Sequence, residues 1–130
     1  MKKLLLLFLS LTTYFATAQE SSDLYRIIEA VSAERLQQDI TTLANFGTRH
    51  TLSDTLSETR GIGAARRWIK NEFETISRDC EGCLEVFYQK DFVKKGDNQR
   101  IVKDVWVVNV VAIQWGSKNP NSFIIMSGDI

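Results

Sequence analysis

Two runs late in the chain are apolar at almost every position, Val105–Ile113 and residues 123–126. Dense Val and Ile of this kind suit strands covered on both faces rather than a half-exposed sheet. The loop Gly116-Ser117-Lys118-Asn119-Pro120-Asn121 separates them. A connection that short cannot make a parallel crossover, so the two strands are expected to pair antiparallel. An earlier strand is expected over residues 84–93, with Leu84, Val86 and Tyr88 on one face. Gly96-Asp97-Asn98 supplies the turn chemistry between it and the next strand.

Helical spacing governs the first half. Ser32 is a candidate N-cap, and Leu36, Ile40, Leu43 and Ala44 follow at i, i+4, i+7 and i+8 before Gly47 ends the helix. A second helix is expected over residues 59–77. Ile62, Ala65, Ile69, Phe73 and Ile76 form its buried stripe, and Arg66, Arg67, Lys70 and Glu74 fall on other faces. Gly61-Ile62-Gly63 is not a nucleotide-binding fingerprint, because no strand precedes it and its third glycine would fall on Arg66. Small residues in a closely packed first turn account for it better. Two N-terminal helices followed by an antiparallel meander predict an α/β fold, one three-layer unit with a mixed sheet. The chain ends one residue after Asp129, and a central strand with no onward chain reads as truncated. The sequence is therefore expected to be the front part of a larger protein, unstable and inactive as an isolated piece.

Composition changes this picture at one end. Lys2 and Lys3, the apolar run Leu4 to Leu11 and the small-residue site Ala16-Thr17-Ala18 have the form of a signal peptide over residues 1–18, with Gln19 first in the exported protein. The apolar run is too short for a membrane anchor against the ~20 residues a spanning helix needs. Loss of Lys2 and Lys3 leaves 14 of the 16 basic side chains against 16 acidic ones. Near neutrality, with no basic stripe, excludes the electrostatic footprint of a nucleic-acid binder. Residues 19–130 contain one proline and no repeat, so they are expected to form part of a single domain.

Export also bears on the two cysteines, Cys80 and Cys83. A zinc ribbon needs a second pair, and a redox pair is expected to open a helix after a strand, whereas this pair follows a helix. A local disulfide is the favoured reading in an oxidising compartment. Arg49 and His50 lie in a polar segment, 48–57, read as a solvated loop. With no serine or cysteine nucleophile placed around it, the single histidine makes no triad.

The order of the pieces resembles metallopeptidase family 28, the exported zinc aminopeptidases and their carboxypeptidase relatives. The resemblance lies in four stretches: the helix SAERLQQDITTLANF from Ser32 with Gly47-Thr48-Arg49-His50 after it; Arg60-Gly61-Ile62-Gly63-Ala64-Ala65-Arg66-Arg67-Trp68-Ile69; Val108-Asn109-Val110-Val111-Ala112 with its following loop; and residues 123–126 running into Gly128-Asp129. It implies an aminopeptidase-like exopeptidase acting on peptide substrates with two zinc ions ~3.5–4 Å apart. In that family the last strand ends in Gly-His-x-Asp, the histidine binding one zinc and the aspartate bridging both. Here Asp129 stands at the histidine's place, which makes it the candidate metal ligand and a departure from the pattern. A carboxylate can ligate zinc, with a shift in preference toward harder metals. Without the resemblance a strand-end Asp is more often a turn former; with it, the ligand leads. No catalytic residue is expected within the chain, and the general base and the other ligands would lie beyond Ile130. The alternative is a non-catalytic exported binding domain, or a relative that has lost its metal site.

Overall fold

A computed structural model describes residues 22–129. The signal-peptide reading of residues 1–18 and the end of the chain at Ile130 lie outside the described residues. The chain falls into two compact units, one ending at Leu36 and the other beginning at Gln37.

In the first unit, helix α1 spans Ser22–Glu29, an element the polar start of the segment had hidden. Its spacing was legible all the same, because Leu24, Ile27, Ile28 and Val31 recur at helical intervals. Asp23 in the first turn accepts from Arg26 at 2.6 Å, an exposed pair that contributes little to stability. Helix α2, Ala33–Asn45, begins in this unit with the expected cap: the Arg35 N–H donates to Ser32 Oγ at 3.1 Å.

The second unit holds the rest of α2, helix α3 at Gly61–Asp79, and strands β1 at Glu85–Val93 and β2 at Val105–Ile113. The expected α/β class and the order of helices before antiparallel strands are both present. β1 pairs with β2 antiparallel from Glu85 opposite Ile113 to Val93 opposite Val105. This register puts Val86, Tyr88, Lys90 and Phe92 on one face with Ala112, Val110, Val108 and Trp106. α3 lies over that face, with Lys70 Nζ 5.7 Å from the centre of the Tyr88 ring. The expected turn joins the strands: Gly96 has φ +92°, and Asp97 Oδ2 accepts from the Lys94 N–H at 3.0 Å. Among the described residues no helix is long and apolar enough to cross a membrane.

Residues 123–126 depart from expectation, being neither strand nor helix. Phe123, Ile124, Ile125 and Met126 are 73–93% exposed. An apolar strand gains by covering its faces as well as by pairing its edges, and the outer edge of a two-stranded ribbon offers no cover. Among the described residues β2 likewise has only one of its faces under a helix, with Phe87 of the far face of the ribbon 37% exposed.

The link from α3 to β1 is tight. The Gly82 N–H donates to Ser77 O at 2.7 Å, and Ser77 Oγ both donates to Leu84 O and accepts from Leu84 N–H. The sulfurs of Cys80 and Cys83 stand at bonding distance, 1.94 Å, with their Cα atoms 5.5 Å apart. We expect the two to be bonded as a local clasp of small entropic effect, because the loop is so short. Thiol labelling of unfolded, unreduced protein should then find no free cysteine, and two labelled thiols would rule the clasp out.

Candidate functional site

Three places in the fold carry chemistry, and the sequence had singled out two of them. The first is Asp129, which is exposed. Among the described residues no three of His, Cys, Asp or Glu come together in a group able to hold a metal ion. A zinc site needs three or four donors, so the described residues do not by themselves fit the ion, and Asp129 is at most one donor of a set.

The second is the polar segment 48–57. Part of it is solvated, as expected, but it also builds the start of α3. A helix begins with four N–H groups that have no partner inside it. Here the Gly61 N–H donates to Phe46 O at 2.9 Å, Ile62 to Ser53 Oγ at 3.0 Å, and Gly63 to Asp54 O at 3.0 Å. Arg60 at the N-cap makes no side-chain cap of its own, and Ser53, nine residues before Ile62, takes that role. The loop is in turn held by Asp54, whose Oδ1 accepts from the Leu56 and Ser57 N–H groups at 2.8 and 3.0 Å. The N–H of Ser57, then that of Leu56, keeps the Asp54 carboxyl below its ordinary range; slight desolvation opposes this and Arg67 adds to it. A depressed pKa stabilises the folded state above the unfolded value and loses that effect as pH falls through the folded one. Protonation of Asp54 on acidification is therefore expected to weaken its hold on the Leu56 and Ser57 N–H groups. Arg67 donates to Thr55 O at 3.2 Å and also to Ser57 O. Arg49 is structural too, donating to Leu43 O and Gly47 O past the end of α2. His50 Nδ1 accepts from the Leu52 N–H at 3.1 Å, an ordinary loop bond.

The third place was missed. Arg66 was expected on an outward face, yet it is 8% exposed, and its Nε is buried with no hydrogen-bond partner. Burial presses its pKa down, with the nearby Tyr88 working the other way; the guanidinium stays charged regardless. It lines a cavity of about 490 Å³ between α3, the 51–55 loop and the inner face of the β1–β2 ribbon. The spacing held the clue: position 66 is four on from Ile62 and three before Ile69, so it shares their face. Its charge suggested otherwise.

No protein-family model matches the chain, and no solved structure matches it. Curated relatives do. The chain is 38% identical over 106 residues to a protein of Pyrenophora teres f. teres (strain 0-1) named "Probable zinc metalloprotease", a match covering 82% of this chain and 23% of the relative. A protein of Leptosphaeria maculans, also named as a probable zinc metalloprotease, is 41% identical over 106 residues, covering 82% of this chain and 24% of the relative. One from Pyricularia oryzae is 38% identical over 107 residues, covering 82% and 21%. The chain thus spans less than a quarter of the length of the curated relatives it matches.

Proposed function

We propose that the full-length protein is an exported zinc-dependent exopeptidase, aminopeptidase-like and of metallopeptidase family 28, which hydrolyses peptide bonds with two metal ions. The observation that carries this reading is the similarity, 38% identity over four-fifths of the chain, to proteins named as zinc metalloproteases. The four sequence stretches set out above narrow it to that family. Asp129 is then one ligand of a set completed by residues elsewhere in the full-length protein. The other reading, a relative without a working metal site, is favoured by a single observation: Asp129 stands where the family pattern has histidine.

The test is zinc content and cleavage of aminoacyl reporter substrates by the full-length protein. Two zinc ions per chain and activity lost to a chelator and regained with zinc are the expected results. A folded protein that takes up no metal and cleaves no substrate would settle the matter for the non-catalytic reading.

Export is tested separately. Lys2, Lys3 and the leucine run ahead of Ala16-Thr17-Ala18 support it. Mass spectrometry of the secreted or periplasmic product should find Gln19 at the N-terminus. Intact Met1 in a cytosolic fraction would overturn it.

A further inference from the structure

The cavity beside Arg66 calls for an occupant. A guanidinium cannot shed its charge, and removing it from water without a partner is among the costlier things a fold can do. Yet Arg66 is more than nine-tenths buried, and no hydrogen bond or ion pair reaches it among the described residues. The charges around it do not compensate. Arg67, Lys90 and Lys103 also line the cavity. Among the described residues its one carboxylate belongs to Asp104, whose Oδ1 already accepts from the Lys95 N–H at 2.9 Å. The rest of the wall is largely apolar, with Tyr88, Phe92 and Trp106 on one side and the Phe92 and Trp106 rings 5.1 Å apart. The volume is in the range of small-molecule pockets.

We propose that this cavity binds a small organic carboxylate bearing an aromatic or apolar group, with the Arg66 guanidinium as anchor. The terminal nitrogens of Arg66 offer a planar fork that matches a carboxylate. Lys90 and Lys103 add charge at longer range, and the aromatic wall takes the apolar body. Inorganic phosphate would meet the cations and gain nothing from the aromatic rings. This site stands on its own geometry and does not depend on the peptidase reading.

Calorimetric titration of the full-length protein with N-acetylphenylalanine, N-acetylphenylalanine amide and inorganic phosphate tests the assignment. The acid should bind about tenfold or more tighter than its amide, because only the acid pairs the buried cation, and tighter than phosphate. Arg66→Met keeps much of the side chain's bulk without its charge. It should abolish the preference for acid over amide while leaving the melting temperature of the ligand-free protein equal or higher, since an uncompensated buried cation is removed. Lys90→Met, on the more exposed strand, should weaken the acid several-fold with the fold intact, and it decides the matter if the Arg66 variant does not fold. Equal binding of acid and amide, no binding of either, or phosphate binding as tightly as the acid overturns the proposal. So does a fall in melting temperature for Arg66→Met in a wild-type protein that binds no acid, which would mean that a carboxylate of the protein itself already pairs with Arg66. An unchanged acid preference in both variants also overturns it.

Discussion

Gly63→Ala is expected to destabilise the protein by about 2–4 kcal/mol, although the same change inside a helix ordinarily stabilises. Alanine exceeds glycine in helix propensity by roughly 1 kcal/mol, so a gain is the default expectation for a position within α3. The neighbours reverse it. A Cβ on Gly63 would lie 2.2 Å from Thr55 O, 2.5 Å from its carbonyl carbon and 2.7 Å from its Cα. All three are backbone atoms, so no side chain can swing aside. The 54–55 backbone would have to retreat, taking with it the bond from Gly63 N–H to Asp54 O and loosening the grip of Arg67 on Thr55 O. Gly82→Ala provides the contrast. Nothing lies within 4 Å of its Cβ position, and its φ of +88° alone penalises a side chain, by about 1–2 kcal/mol. Urea unfolding of the full-length variants measures both. Gly63→Ala unfolding at or above the wild-type midpoint would show that propensity outweighs the contact, and that α3 does not need the 51–55 loop against its first turn.

The largest effect on activity is expected at Asp129. If it ligates metal in the full-length protein, Asp129→Asn removes a charge from the metal's immediate surroundings, and zinc content and turnover should fall together while the fold persists. If it only forms a turn, its carboxylate accepts backbone N–H groups. Asparagine does that nearly as well, and the change costs on the order of 1 kcal/mol or less. Among the described residues Asp129 makes no hydrogen bond and is exposed, so the substitution leaves no interaction within them to break. Asp129→His is the sharper probe. It restores the residue found at this place in the family pattern, so it should keep zinc where asparagine loses it. Metal content and aminopeptidase rate of the wild type and both variants are the measurements. Full occupancy and full rate in Asp129→Asn would remove Asp129 from the site.

Much of the fold was legible because it is written within short windows. The spacing Leu36, Ile40, Leu43 and Ser32 ahead of it specify α2 and its start, and Ile62, Ala65 and Ile69 specify α3. The Val-rich run 105–113 and the Gly96-Asp97-Asn98 turn specify the hairpin. The adjacency of Cys80 and Cys83 in sequence brought their sulfurs within reach without help from the rest of the fold. In each case the physical cause, a face to bury or a turn to close, acts between residues close along the chain.

What only the tertiary structure decided depends on segments meeting. Residues 123–126 have the composition of a buried strand, but a strand needs neighbours, and no described residue pairs with or covers them. Gly63 looks like a helix weakness until Thr55 arrives against it. Arg66 looks like a surface charge because its chemistry outvotes its place on the helix; only the ribbon folding beneath α3 shows that the place won. Composition says what a side chain prefers, and the approach of a second backbone decides whether the preference is met.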